Sequence, residues 1–261
     1  VMDSFGLQLK AVANMAVGFD NIDVEEAKKR GIMVANTPGV LTDTVAEHTF
    51  ALMLAIAHRN AQADRFSRAG KYKAWGAELL LGTDLSGKTL GIVGLGRIGS
   101  RVALHAANGF EMKVLYYDPK RDLDFEKKYG AAYAADIDEL LPQCDFVSIH
   151  VPLLDSTRHL FNGKRFKKMR PSAYLINTSR GPIVDEKALA AALSGGTIRG
   201  AALDVFEFEP KIAPELKKLE NVILTPHIAS ATRETRDKMA ELAAKNIIEA
   251  LEGRVSPNII S

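Results

Sequence analysis

The feature that most constrains this chain is the run Gly94-Leu95-Gly96-Arg97-Ile98-Gly99, set between an apolar β-rich stretch and an apolar helical one. Three glycines at this spacing are a weak signal by themselves. Lys88-Thr89-Leu90-Gly91-Ile92-Val93 before them and the helical pattern Ile98 to Ala107 after them make a strand–turn–helix crossing. In such a crossing Gly94 permits the tight turn, Gly96 lets backbone approach a ligand, and Gly99 lets the helix pack closely on the strand. Free N–H groups at the positive end of the helix, around Arg97 and Ile98, then suit a pyrophosphate. A tight turn with no ligand is the bland alternative. Against it stands an acid at the end of the next apolar run, Asp118, 19 residues beyond Gly99. A carboxylate there accepts hydrogen bonds from adenosine ribose hydroxyls and repels a 2′-phosphate, which favours NAD over NADP. Lys120 and Arg121 follow at once and could cradle that phosphate instead, so NADP stays open.

Strand-like and helix-like segments alternate along most of the chain. The apolar runs are Leu90 to Val93, Lys113 to Tyr117, Phe146 to Val151, Ala173 to Ile176, Gly200 to Val205 and Val222 to Leu224. They are continuously apolar, as strands buried on both faces are. Asp185 to Ser194 reads as a helix with Asp185 as N-cap and Gly195 just past its end. This alternation predicts an α/β fold, a parallel sheet with right-handed crossovers. Thr42 to Arg68 reads as one long helix, apolar on nearly every side from Val45 to Ala57, and so buried between domains or subunits. Thr232 to Leu251 is a second helix, with Met239, Leu242, Ala243, Ile247 and Leu251 on its packing face. Gly70 to Gly87, with four glycines and Trp75, is a connecting excursion.

Composition narrows the function. Lys and Arg total 34 against 32 Asp and Glu, a net charge of +2, which gives no reason to expect nucleic acid or a membrane surface as partner. The longest apolar run near the start, Phe50 to Ala57, is too short to span a bilayer. The lone Cys144 cannot form an internal disulfide and reads as core packing in a cytoplasmic protein. No His, Asp or Glu set has metal-ligand spacing, so no metal is expected. Val1 lacks the pattern of a targeting segment, and the chain reads as beginning inside a domain.

Ligands in open α/β sheets sit beyond the C-terminal strand ends. Three polar residues stand there: Arg180 after Asn177-Thr178-Ser179, Glu209 after Asp204-Val205-Phe206-Glu207-Phe208, and His227 after Thr225-Pro226. Reduction of a 2-oxo acid needs such a set. Charge grows on the carbonyl oxygen as hydride arrives, and an imidazolium delivers a proton there. A neighbouring carboxylate stabilises the charged imidazole. A guanidinium holds the substrate carboxylate through a forked pair of bonds. Alone, each residue has a plain reading as a surface charge or a turn residue; together they are complementary. His48 and His58 on the long helix, His105 on the glycine-loop helix and His159 in a loop rank lower. His150, ending a strand, could border a cofactor but nothing marks it as an acid.

With these residues in place, the sequence resembles the D-isomer-specific 2-hydroxyacid dehydrogenases. Gly94 to Gly99, Asn177-Thr178-Ser179-Arg180-Gly181, Ala202 to Phe206 with Glu209-Pro210, and Pro226-His227-Ile228-Ala229-Ser230 match that family's motifs in order. Ala13 to Asp23 and Asn36-Thr37-Pro38-Gly39-Val40 are similar to it as well. The likeness runs over essentially the whole chain and is nearest to the glyoxylate and hydroxypyruvate reductases. It implies His227 as acid/base, Glu209 as its partner, and Arg180 as the group that binds the substrate carboxylate and polarises the carbonyl. It implies that the N–H groups of Val17 and Gly18 also hold that carboxylate, that Thr44 touches the cofactor phosphates, that Val151, Pro152 and Thr157 border the adenosine, and that Thr178, Ser179 and Asp204 line the nicotinamide side. It further implies a Rossmann-type doubly wound sheet over 39–228 and a discontinuous, flavodoxin-like substrate domain from 1–38 and 229–261, truncated at its N-terminal side. A homodimer is implied too. The leading expectation is NAD(P)H-dependent reduction of a small 2-oxo acid to the D-2-hydroxy acid. D-lactate or phosphoglycerate dehydrogenase activity is the alternative within the family, and an NAD-sensing corepressor-like binding protein is the alternative outside catalysis. An all-leucine stretch, Leu79-Leu80-Leu81, stands where some of those reductases carry an aromatic residue, which leaves a broader 2-oxo acid preference open.

Overall fold

The computed structural model describes residues 2–254 and 256–260. In chain order the helices are α1 (Met2–Phe5), α2 (Val24–Lys29), α3 (Thr42–Ala57), α4 (Asn60–Arg68), α5 (Arg97–Phe110), α6 (Leu123–Tyr129), α7 (Ile137–Leu140), α8 (Gly163–Phe166), α9 (Glu186–Ser194) and α10 (Arg233–Leu251). The strands are β1 (Ala11–Ala13), β2 (Met33–Ala35), β3 (Thr89–Val93), β4 (Lys113–Tyr117), β5 (Ala132–Tyr133), β6 (Phe146–Ile149), β7 (Tyr174–Asn177), β8 (Gly200–Leu203) and β9 (Val222–Leu224). The chain divides into two compact units, residues 1–44 with 230–261 and residues 45–229.

The larger unit is built on one parallel sheet of order β5-β4-β3-β6-β7-β8-β9. The chain winds outward from β3 to β4 and β5, returns to lay β6 on the other side of β3, and winds outward again. The order therefore reverses between β3 and β6, and a ligand crevice opens at such a switch point. Strand side chains alternate between two cores. Leu90, Ile92, Val114, Tyr116 and Phe146 pack with Phe50, Met53, Val102 and Ala106 on one face. Val93, Leu115, Val147, Ile149 and Leu175 pack with Leu140, Leu189 and Leu193 on the other. Burial on both faces is why these strands are continuously apolar. Cys144 lies fully buried in this second core, where a Cβ on Gly91 of β3 would stand 2.6 Å from its Sγ.

The long helix expected over Thr42 to Arg68 is instead two helices. α3 stops at Ala57 and α4 restarts at Asn60, with Arg59 between them in a left-handed conformation (φ 57). The break comes from a remote segment. Thr83 N–H donates to Ala57 O at 2.9 Å, and Gly82 packs so closely that a Cβ there would lie 2.5 Å from that oxygen. Core packing does not hold the chain to the axis of α3, since α4 buries no residue whereas α3 buries eight. Other boundaries move by a residue or two. The strands expected to reach Val151 and Val205 end at Ile149 and Leu203, and the one expected from Ala173 begins at Tyr174. The two-residue edge strand β5 carries too short a pattern to be read beforehand.

In the smaller unit β1 and β2 pair in parallel, Ala11 beside Met33, and α10 packs on both. Asp23 caps α2 by accepting from Glu26 N. Ala27, Ile32 and Val34 form its small core. On α10, capped by Thr232, the expected packing face is only partly used: Met239 is buried, but Leu251 is 64% exposed. Asn246 is buried instead, because it donates to Asn36 O at 2.9 Å and accepts from Ser256 and Asn258. Among the described residues no helix is long and apolar enough to cross a membrane.

Candidate active site

At the end of β3 the chain turns sharply through Gly94 (φ 100), where a Cβ would meet the His150 carbonyl at 2.8 Å. Gly99 lies so near that its Cβ would stand 2.0 Å from Gly94 O, which is how α5 begins directly on the strand end. Gly96 is the N-cap of α5, makes no side-chain cap, and would aim a Cβ into open space. The first-turn N–H groups of this 14-residue helix are therefore presented outward. Asp118 stands beside them. Its Oδ2 accepts from Leu95 N at 2.8 Å and its Oδ1 from Lys120 N at 2.9 Å, with lone pairs to spare on both oxygens. An open glycine cradle, an uncapped helix and an acid at the neighbouring strand end fit the pyrophosphate and ribose of a dinucleotide.

The loop after β6 closes on itself. Thr157 Oγ1 donates to Pro152 O at 2.7 Å and accepts from Leu154 N at 2.8 Å. Val151 O accepts a hydrogen bond from Ser179 Oγ, which joins the loops after β6 and β7. Thr178 is buried, its hydroxyl 3.0 Å from that of Thr49 on α3. His150 pairs with Ser148 Oγ at 2.8 Å, and burial pushes its pKa down to about 3. It is a neutral imidazole at any working pH.

Arg180 follows β7 in extended backbone. Buried Asn177 shapes its loop from both sides, donating from Nδ2 to Arg180 O and accepting Ser179 N at Oδ1, each at 3.0 Å. The next residue, Gly181, packs on the loop after β8 so tightly that a Cβ would lie 1.9 Å from the Phe206 carbonyl. Buried Glu186 at the start of α9 accepts from Glu207 N at 2.6 Å and Ala213 N at 3.1 Å, lashing down the same loop.

That loop delivers Glu209, whose Oε1 accepts from Phe206 N at 3.0 Å while Oε2 lies 2.9 Å from His227 Nδ1. Glu207 is engaged elsewhere, 2.6 Å from His159 Nε2. Among the described residues His227 has one carboxylate partner, on Nδ1, and its side chain is half-exposed. The residue sits in the left-handed region at φ 54. Asp204, with no exposed surface, holds it there. Its carbonyl accepts His227 N at 2.8 Å and its carboxylate accepts Thr225 Oγ1 at 2.6 Å, Ile228 N at 2.9 Å and Ala229 N at 2.7 Å. His48 Nε2 on α3 completes the cage at 3.4 Å. Burial opposes ionisation of this carboxyl, but the bonds from His48, Thr225 and the two backbone N–H groups outweigh it and keep the pKa below its ordinary value.

In the smaller unit, Val17 ends a bend and Gly18 follows it, their carbonyls pinned by Asn36 Nδ2 (2.8 Å) and Asn14 Nδ2 (2.7 Å) respectively. Their N–H groups have no partner among the described residues. Thr44 Oγ1 lies 2.6 Å from Thr235 Oγ1. The structure thus brings Arg180, Glu209 and His227 to neighbouring loops at one end of the sheet, next to the glycine cradle. No pattern in the sequence singles out Asn14, Asn36, Asn177, Glu186 or the His48–Asp204 contact by its own residues. Asn14, Asn36 and Asn177 lie inside the motifs quoted above, and an Asn within a loop motif is a turn-shaping signal.

A doubly wound parallel sheet with an open glycine cradle at its switch point and an acid on the next strand defines a Rossmann-type NAD-binding domain. Comparison with known proteins carries this further. Residues 50–229 match the model of the D-isomer specific 2-hydroxyacid dehydrogenase, NAD binding domain. The chain is 53% identical over 257 residues to the glyoxylate reductase of Korarchaeum cryptofilum, covering 97% of this chain and 76% of that protein. It is 53% identical over 258 residues to the glyoxylate reductase of Thermococcus litoralis, covering 97% and 77%. Among solved structures it is similar to the NADPH-dependent glyoxylate/hydroxypyruvate reductase of Sinorhizobium meliloti in complex with NADP and malonate, with a TM-score of 0.90 at 34% identity over 99% of this chain and 80% of that one. The chain belongs to the D-isomer specific 2-hydroxyacid dehydrogenase family.

Proposed function

We propose that this protein reduces a small 2-oxo acid, of the glyoxylate or hydroxypyruvate kind, to the 2-hydroxy acid, D-configured where the product is chiral. The relatives named above act in this class, which disfavours a non-catalytic binding role. Gly94, Gly96, Arg97, Ile98 and Gly99 would hold the pyrophosphate of NAD(P)H and Asp118 its ribose, with Val151, Pro152 and Thr157 on the adenosine side, Thr178, Ser179 and Asp204 on the nicotinamide side, and Thr44 at the phosphates. Bound there, the nicotinamide supplies hydride. The protein's part is charge and proton. Arg180 would hold the substrate carboxylate and polarise the carbonyl, and the family resemblance gives the backbone N–H groups of Val17 and Gly18 a part in holding that carboxylate. His227 donates a proton from Nε2 to the nascent alkoxide while Glu209 stabilises the imidazolium from Nδ1.

The observation that carries this reading is the His227–Glu209 pair at 2.9 Å, made through Nδ1 of a half-exposed ring. His227→Ala is expected to lower kcat by about 10²- to 10⁴-fold while NADH affinity stays within about twofold. Wild-type turnover in that variant would remove His227 from the mechanism. An NADH-oxidation panel over glyoxylate, hydroxypyruvate, pyruvate and phosphohydroxypyruvate tests the substrate class; activity on none of them would overturn it. The proposal extends to a homodimer in the cytoplasm. Tyr72, Trp75, Leu79 and Leu81 stand 57%, 81%, 41% and 57% exposed in one segment, an apolar patch that suits a second copy. Sedimentation as a monomer at micromolar concentration would count against it.

A further inference from the structure

A ribose 2′-phosphate bound beside Asp118 needs a cation, and the sequence places Lys120 and Arg121 next to it. The structure shows Arg121 already committed. Its Nε and Nη2 each donate to Glu126, to Oε1 and Oε2 respectively, both at 2.8 Å, and its guanidinium lies over the Tyr133 ring, 5.3 Å from the centroid. The acceptor is itself anchored. Glu126 Oε1 accepts from the hydroxyl of Tyr116, a fully buried strand residue, at 2.8 Å. That hydroxyl also accepts Asp122 N at 2.8 Å, and Asp122 caps α6 by accepting Phe125 N, which sets Glu126 in its first turn. The Arg121 fork, helped by Tyr116, holds the Glu126 carboxyl at about 2 against an ordinary 4.5, so it stays ionised throughout the working range.

We propose that Glu126 is a specificity-determining residue: by holding Arg121 in a fork over Tyr133, it denies a 2′-phosphate its guanidinium and leaves Asp118 to select a nucleotide with a free 2′-hydroxyl. A guanidinium offers its planar fork to one partner at a time, and carboxylate and phosphate compete for the same geometry. Exposed Lys120 remains as a mobile point charge, so the outcome is a preference for NAD and not exclusion of NADP. The inference rests on the reading of this loop as a nicotinamide-dinucleotide site.

The test is equilibrium binding of NADH and NADPH, followed by nucleotide fluorescence, on the full chain. Wild type should bind NADH more tightly. Glu126→Gln, which keeps an acceptor for Tyr116 but loses the charged fork, should tighten NADPH about tenfold and leave NADH within about twofold. Glu126→Asp, which keeps the charge but is one methylene too short for the fork, should move the ratio the same way. The double variant R121A/E126Q should lose the gain. An unchanged NADPH-to-NADH ratio in both single variants would overturn the proposal. So would a gain that survives in the double variant, because it would then come from removing a negative charge and not from freeing Arg121. Wild-type protein that binds NADH well but shows no change in the variants defeats Glu126 alone; failure to bind either nucleotide would defeat the site reading and the proposal with it. Thermal melts of each variant show that the protein under test is folded.

Discussion

His227 carries a left-handed backbone, which costs a residue with a Cβ about 1 kcal/mol or more. Asp204 offsets that cost by gathering two side chains, Thr225 and His48, and two backbone N–H donors around a carboxylate with no exposed surface. Asp204→Asn keeps the shape but places an N–H₂ where an acceptor is needed, which leaves a buried donor unsatisfied. The expected result is a fall in kcat of about tenfold or more, with the fold retained in far-UV circular dichroism. Unchanged kcat would show that the turn holds without its cage. This pairing illustrates which residues sequence alone discloses. Arg180, Glu209 and His227 stand in short motifs at strand ends, so their chemistry is readable. His48 meets Asp204 across 156 positions, and nothing local to either residue announces it. Arg121 was equally readable as a phosphate ligand; only its capture by Glu126 five residues on decides against it.

At the scale of elements, the loops that carry Arg180 and Glu209 are coupled through backbone more than through side chains. The loop after β7 touches the loop after β8 at Gly181, and Glu186 of α9 holds the second of these by two N–H groups. His159 adds a side-chain tie through Glu207, while its own N–H donates to Pro182 O at 2.8 Å. Arg180 and Glu209 therefore cannot shift independently. Gly181→Ala forces a methyl into the Phe206 carbonyl and should cost about 3 kcal/mol of stability. Because it moves both loops, kcat/KM for glyoxylate should fall about 10²-fold, a larger loss than stability alone explains at a temperature where the variant remains folded. A variant with normal kinetics and only a lower Tm would show that the two loops are not coupled. The sheet that bears these loops was legible from its apolar runs. The break after Ala57 was not, because the hydrogen bond that ends α3 comes from Thr83, beyond an excursion that sequence could describe only as a connection.

Across the whole molecule, burial is unevenly shared. The unit of residues 45–229 holds two large cores on either side of a seven-stranded sheet, while the other is organised around Ala27, Ile32 and Val34. The family's parallel architecture could be foreseen because a strand buried on both faces must be apolar at every position, a constraint strong enough to survive errors at the boundaries. The larger unit also encloses the chain's one cysteine. Burial raises the Cys144 thiol to about 12, so it is a neutral, shielded sulfur and not a nucleophile. The protein therefore carries its own stopwatch for core opening. A thiol reagent in excess can reach Cys144 only when the sheet and α7 part company, so its rate of modification should follow the rate or equilibrium of that opening and rise to the unfolded value in denaturant. A thiol that reacts at the unfolded rate in native protein would contradict this enclosure. Where the enclosure holds, oxidants that disable enzymes with exposed thiols have nothing to attack at this position, and a fluorescent label attached there would mark molecules that have opened their core.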